Sequence, residues 1–122
     1  MAMILDGTIT FNDATVQSSS SNTYGNLYGI GNSQTWQDVT ASRVVGTTYT
    51  NSTGRAIFVA VASINPAAGT TSSWQITVNS VGVANSGDQS NRRSSASTIV
   101  PNGSTYSVSM QSDSVQTWSE LR

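Results

Sequence analysis

The sequence predicts an all-β protein, an antiparallel β-sandwich of jelly-roll-like type with a short N-terminal β or extended segment. Two observations point there. Short stretches rich in β-branched and aromatic residues recur, several alternating apolar and polar with period two, and Gly, Pro and Asn turn signatures separate them at sandwich spacing. No stretch carries helical periodicity for longer than one turn, and no internal repeat is visible. At 122 residues the chain is one domain, or one domain with a small appendage.

The elements follow in order. Ile4-Leu5 precede the tight-turn pair Asp6-Gly7, and Thr8 to Phe11 alternates. Asn12-Asp13 marks a second turn before a short strand at Ala14 to Gln17. Ser18 to Asn22 breaks the pattern, and Tyr24 to Asn32 is glycine-rich with aromatic interruptions. Residues 1–33 therefore read as an attachment or oligomerisation segment with a Gly/Ser-rich linker, and residues 34–122 as the main domain. Within it, strands are expected at Gln34 to Val39, which carries Trp36, and at Arg43 to Tyr49. Asn51-Ser52-Thr53-Gly54 is a turn in which glycine supplies a positive φ. Arg55 to Ile64 holds the most apolar run of the chain, Ala56 to Ala62. A run without alternation is buried on both faces, as in a central strand or one at a subunit interface. Asn65 to Ser72 reads as a loop, and Ser73 to Val81 as a strand with Trp74, Ile76 and Val78 on one face. A turn within Asn79 to Gly82 leads to a short strand at Val83-Ala84, and residues 85–95 form the most polar loop. Ala96 to Val100 ends at the turn Pro101-Asn102-Gly103. Thr105 to Gln111 alternates with Tyr106, Val108 and Met110 on one face, and Val115 to Leu121 is the last strand.

Composition narrows the function. Charged residues are only 9% of the chain, while Ser, Thr, Asn and Gln together fill 55 of its 122 positions. There is no His, Cys or Lys, which removes Ser-His-Asp and Cys-His catalysis, His/Cys zinc sites and disulfides. A net charge of −1 with scattered arginines gives no basic face for nucleic acid. The N-terminus has neither the basic region nor the apolar run of a secretory signal, and no apolar stretch reaches the ~18 residues that argue for a membrane span. Neutral hydrogen-bonding side chains, indifferent to pH and salt, suit an exposed structural or adhesive protein better than a metabolic enzyme.

Few residues are candidates for chemistry. The six carboxylates each stand alone beside turn or strand-end residues, where such groups cap backbone N–H, so no catalytic pair is expected. Asp88 with Asn85 and Asn91 in the polar loop is too sparse for a calcium site, so no metal and no cofactor are expected, and Asp88 and Asn91 are instead candidates for surface binding with the arginines of the same loop. Arg92 and Arg93 in the same loop are a solvated loop tip or a hold on an anionic sugar or phosphate. Tyr24 and Tyr28 pack the linker against the main domain or a sister chain, with sugar contact the second reading. Asn51-Ser-Thr and Asn102-Gly-Ser match glycosylation acceptors, as chance allows in so Asn- and Ser-rich a chain.

Two stretches are similar to phage tail-fibre proteins. Ile9-Thr-Phe-Asn-Asp-Ala-Thr-Val-Gln17 resembles a fibre shaft or collar segment, with Ala14 where glycine is usual. The second resemblance is an ordered set: Trp36-Gln-Asp-Val39, Arg43, Gly46-Thr-Thr-Tyr-Thr-Asn-Ser-Thr-Gly-Arg-Ala-Ile57, Val100-Pro-Asn-Gly-Ser-Thr-Tyr106 and Trp118-Ser-Glu-Leu-Arg122. It resembles a small C-terminal β domain of phage and prophage tail fibres. The resemblance implies a virion appendage made in the bacterial cytoplasm, homotrimeric, held to other virion proteins through its N-terminal segment. It implies contact with a host-surface glycan or outer-surface protein, and no catalytic residue. A purely structural virion part is the alternative, and a glycan-cleaving tailspike a remoter one. Trp36, Arg43, Trp118, Glu120 and Arg122 are assigned interface or structural roles. Glu120 is expected to pair with Arg43 or Arg55 across an interface, with a bend or bulge bringing Glu120 and Arg122 into step with Trp118.

Overall fold

The computed structural model of the chain describes residues 3–5, 8–10, 16–17, 29–64, 71–90, 92–111 and 114–122. Near the N-terminus, β1 (Met3–Leu5), β2 (Thr8–Thr10) and β3 (Val16–Gln17) form a three-stranded antiparallel sheet in that order, Leu5 pairing with Thr8 and Ile9 with Gln17.

Eight strands build the sandwich: β4 (Trp36–Asp38), β5 (Tyr49–Thr50), β6 (Ile57–Ser63), β7 (Thr71–Val78), β8 (Val81–Ser90), β9 (Ser95–Val100), β10 (Thr105–Gln111) and β11 (Val115–Leu121). One sheet runs β4-β11-β6-β9 and the other β5-β10-β7-β8, with every neighbouring pair antiparallel. The first and last sandwich strands are neighbours in one sheet, and the second and second-last in the other. This interleaving is the double Greek key of a jelly roll. A single 3₁₀ turn, Thr40–Ser42, is the helical element among the described residues.

The interior follows from period-two alternation. Ile57, Val59 and Val61 of β6, Val100 of β9 and Trp118 of β11 face Trp74, Ile76 and Val78 of β7 and Tyr106 and Val108 of β10, all buried. On β6 they alternate with Phe58, Ala60 and Ala62, which are only partly covered. The unalternating run is thus fully buried on one face, not two. Within the chain its second face is the outer surface of the sheet.

Three further segments differ from the sequence expectation. Residues 85–90 continue β8 as a ten-residue strand paired to β7, not a loop, because Asn79 and Ser80 take positive φ (48° and 66°) and make a two-residue hairpin turn. β7 begins at Thr71, inside the expected loop. The expected strand from Arg43 shrinks to Tyr49–Thr50, since the chain before it is held by the Arg43 and Tyr49 side chains, a turn closed by Thr47 N–H on Val44 O and a single backbone bond from Gly46 N–H to Val108 O, instead of a ladder.

Candidate functional site

A charged cluster lies inside the sandwich. Glu120, on the inner face of β11 opposite Val59, is 0% exposed. Arg43 donates from Nε to its Oε1 and from Nη2 to its Oε2, both at 2.9 Å. Such a two-pronged bond matches the planar guanidinium to the carboxylate. The Tyr106 hydroxyl donates to Glu120 Oε1 at 2.7 Å and accepts from Arg43 Nη2 at 3.3 Å. Arg122 approaches Oε2 at 3.3 Å. Burial works against the charge on Arg43, but the bonds to Glu120 and the proximity of Tyr106 outweigh it and hold the guanidinium above its ordinary pKa. Burial, reinforced by the Glu120 hydrogen bond and charge, pushes the Tyr106 phenol up to about 12.

Aromatic rings wall this cluster. The Arg43 guanidinium sits 4.5 Å from the Tyr49 ring centre, Tyr49 meets Trp118 edge-on at 6.1 Å, and the Tyr49 hydroxyl accepts from Val44 N–H. The carboxylate is surrounded by two guanidinium groups and a phenol and has no exposure to solvent. Its part is to fix the chain from Arg43 to Tyr49 against the last strand.

A second buried lock joins the turns. The Asn51 amide donates to the carbonyls of Arg55, Val100 and Pro101, and its Oδ1 accepts from the Thr53 N–H and hydroxyl. In return Asn102 Oδ1 accepts from Gly54 N–H, and Gly103 N–H donates to Asn51 O. Gly54 and Gly103 both take positive φ there (85° and 78°).

Two outer sheet faces remain. On β5-β10-β7-β8, Ser73, Gln75, Asn85, Ser109 and Gln111, together with Trp74, Ser86 and Met110, line a shallow depression of about 560 Å³ that mixes hydroxyls and amides with apolar surface and carries no charge. Gly82 is what lets the Gln75 amide lie flat on β8, because a Cβ there would stand 2.7 Å from Gln75 Cδ. On β4-β11-β6-β9 the outer face carries an apolar stripe beside small and polar residues. Trp36 and Ile99 are 56% and 50% exposed, and Trp36 packs edge-on against Phe58 at 5.9 Å.

The residues singled out by sequence distribute as follows. Arg43, Tyr106, Trp118, Glu120 and Arg122 come together, and Trp36 lies on the opposite side of the same sheet. The partner of Glu120 is Arg43, not Arg55, and the pair closes inside one chain instead of between chains. No bend is needed for this. Trp118 and Glu120 point inward in regular register, and the bulge of β11 falls earlier, between Val115 and Thr117. Arg92 and Arg93 are exposed between β8 and β9, away from the cluster. Asp88 belongs to β8, while Asn91, Tyr24 and Tyr28 lie outside the described residues. Sequence reasoning missed Asn51 as a buried anchor and Tyr49 as the ring under Arg43. The Asn-x-Thr-Gly spacing was the one available signal for Asn51. Among the described residues, no three carboxylates gather as a metal site. Compared with known proteins, the chain matches no family model, no curated protein and no solved structure.

Proposed function

We propose that this chain is a bacteriophage virion appendage, a tail-fibre or tail-tip domain that attaches to the host surface as a homotrimer. One observation carries the reading. The stretches similar to tail-fibre domains are scattered along the sequence but make one structural unit. The Tyr49–Ile57 stretch is bonded to the Val100–Tyr106 stretch through Asn51 and Asn102, and Arg43 is bonded to the Trp118–Arg122 stretch through Glu120. That these stretches pack against one another as one unit supports the reading. The uncharged lining of the depression on β5-β10-β7-β8 further supports contact with a glycan, whose hydroxyls pair with amides and hydroxyls without counter-charge.

Immunogold labelling of virions from the strain that carries the gene tests the assignment. Label at the tail tip or fibres is expected, and label on the capsid alone, or none on virions, overturns it. Fluorescent protein that binds host cells then separates attachment from a purely structural role in the tail, for which no cell binding is expected.

A further inference from the structure

We propose that the outer face of the β4-β11-β6-β9 sheet is the surface on which copies of this chain pack against one another. Its central feature is a row set by register: Trp36 is opposite Leu121, Leu121 opposite Phe58, and Phe58 opposite Ile99. Four large apolar side chains thus cross the whole sheet in one line, a ridge about 15 Å long at the usual strand spacing. Cross-strand neighbours of this kind are expected on the inside of a sandwich, yet Trp36 and Ile99 stand half open to water.

Beside the ridge the face drops to small residues. Ala60, Ala62, Ser97, Thr117 and Ser119 floor a depression of about 400 Å³. Ridge and hollow lie side by side, so a second copy brings both the side chains that fill the hollow and the hollow that receives the ridge.

Charge selects the same occupant. No residue lining the depression is charged, and Asp38 on edge strand β4 has its carboxylate tied to the Thr40 hydroxyl and N–H. A partner that sets charges on the depression would bury them unpaired, whereas the ridge and hollow of a second copy bring none, Asp38 staying at the edge of the sheet. The inference rests on the appendage reading only for the expectation that copies assemble; no receptor enters it.

Trp36 supplies the readout, because Trp74 and Trp118 are buried within the chain. Sedimentation equilibrium is expected to give a multiple of 12.8 kDa. In that oligomer Trp36 is shielded from acrylamide, seen as the difference between wild type and Trp36→Phe. Replacing Phe58 and Ile99 together by Ser is expected to raise the dissociation constant by about 100-fold or more. Ile99→Ser alone, at a half-exposed position, shifts it in the same direction with the circular dichroism of the wild type. Val81→Ser with Val83→Ser, exposed positions on the other sheet, leaves the mass unchanged. A protein still monomeric at ~1 mM, where even a 4 kcal/mol association would show, overturns the proposal. An oligomer in which Trp36 stays fully quenchable also overturns it while leaving the appendage reading intact. Absence of label from virions, with Trp36 shielded, sinks the appendage reading and not this one.

Discussion

Replacing Glu120 by glutamine preserves shape and removes the one negative charge that Arg43 and Arg122 share. The Arg43 side chain is only 13% exposed, so its guanidinium would face a neutral amide and a phenol oxygen with little access to water. Removing one partner of a buried ion pair costs about 3–5 kcal/mol, mostly as the penalty of the charge left behind. Native domains hold about 0.05–0.15 kcal/mol per residue, so this loss is a large part of the total. For a chain of this size it lowers the melting temperature by roughly 10–20 °C. Urea titration followed by far-ultraviolet circular dichroism measures it, with Arg43→Met and the double variant completing a cycle. The double variant is expected to lose less than the sum of the single ones by ~1 kcal/mol or more, since the one charge it leaves without the carboxylate is Arg122, which is more open to water than Arg43. If Glu120→Gln stays within about 1 kcal/mol of wild type, the cluster does not hold the fold in the way its geometry indicates.

Alkaline pH attacks the same cluster through Tyr106. Its phenol ionises near 12 in the fold against 10.0 for the free group, so its contribution is intact below pH 10 and is lost as pH rises from 10 to 12. Melting temperatures across that window are expected to fall more steeply for wild type than for Tyr106→Phe. Asn51→Ala removes the amide shared by the Arg55, Val100 and Pro101 carbonyls, of which Arg55 and Pro101 keep the Thr53 hydroxyl and the Ser104 N–H, and is expected to cost about 1–3 kcal/mol in the same denaturation assay. Gly103→Ala meets no neighbour within 4 Å and is expected to cost only the backbone strain of its positive φ, about 1 kcal/mol. Arg92→Ser with Arg93→Ser leaves the melting temperature unchanged, and weakens binding to host cells if the β8–β9 connection is the contact.

Strand positions were legible where alternation and turn chemistry agreed. Thr105 to Gln111 and Val115 to Leu121 form the strands read from sequence, bounded on one side by Pro-Asn-Gly and filled by residues at every second position. The end of β8 was not legible, because Asn85-Ser-Gly-Asp-Gln-Ser90 contains no apolar residue. The β7 ladder holds that stretch extended, and a ladder between distant residues leaves no mark on local composition. The site was legible in its members but not in its pairing. Trp118, Glu120 and Arg43 stood out, yet 77 positions separate the ion pair, and only the jelly-roll topology places the chain after β4 beside β11. Apolar residues on both faces of β6 were visible, while the covering of just one face by this chain could be seen only in three dimensions.

The burial of Asn51 has a practical consequence for making the protein. Asn51-Ser-Thr is an acceptor sequence for the glycosylation machinery of a eukaryotic secretory pathway, which meets chains before they fold. The nitrogen that would carry the sugar is the one that donates to Arg55, Val100 and Pro101. A glycan attached there has no room in the closed turn, so yeast or mammalian secretion would divide the product into an unmodified folded fraction and a modified fraction locked out of the native state. Bacterial cytoplasmic expression avoids that division altogether.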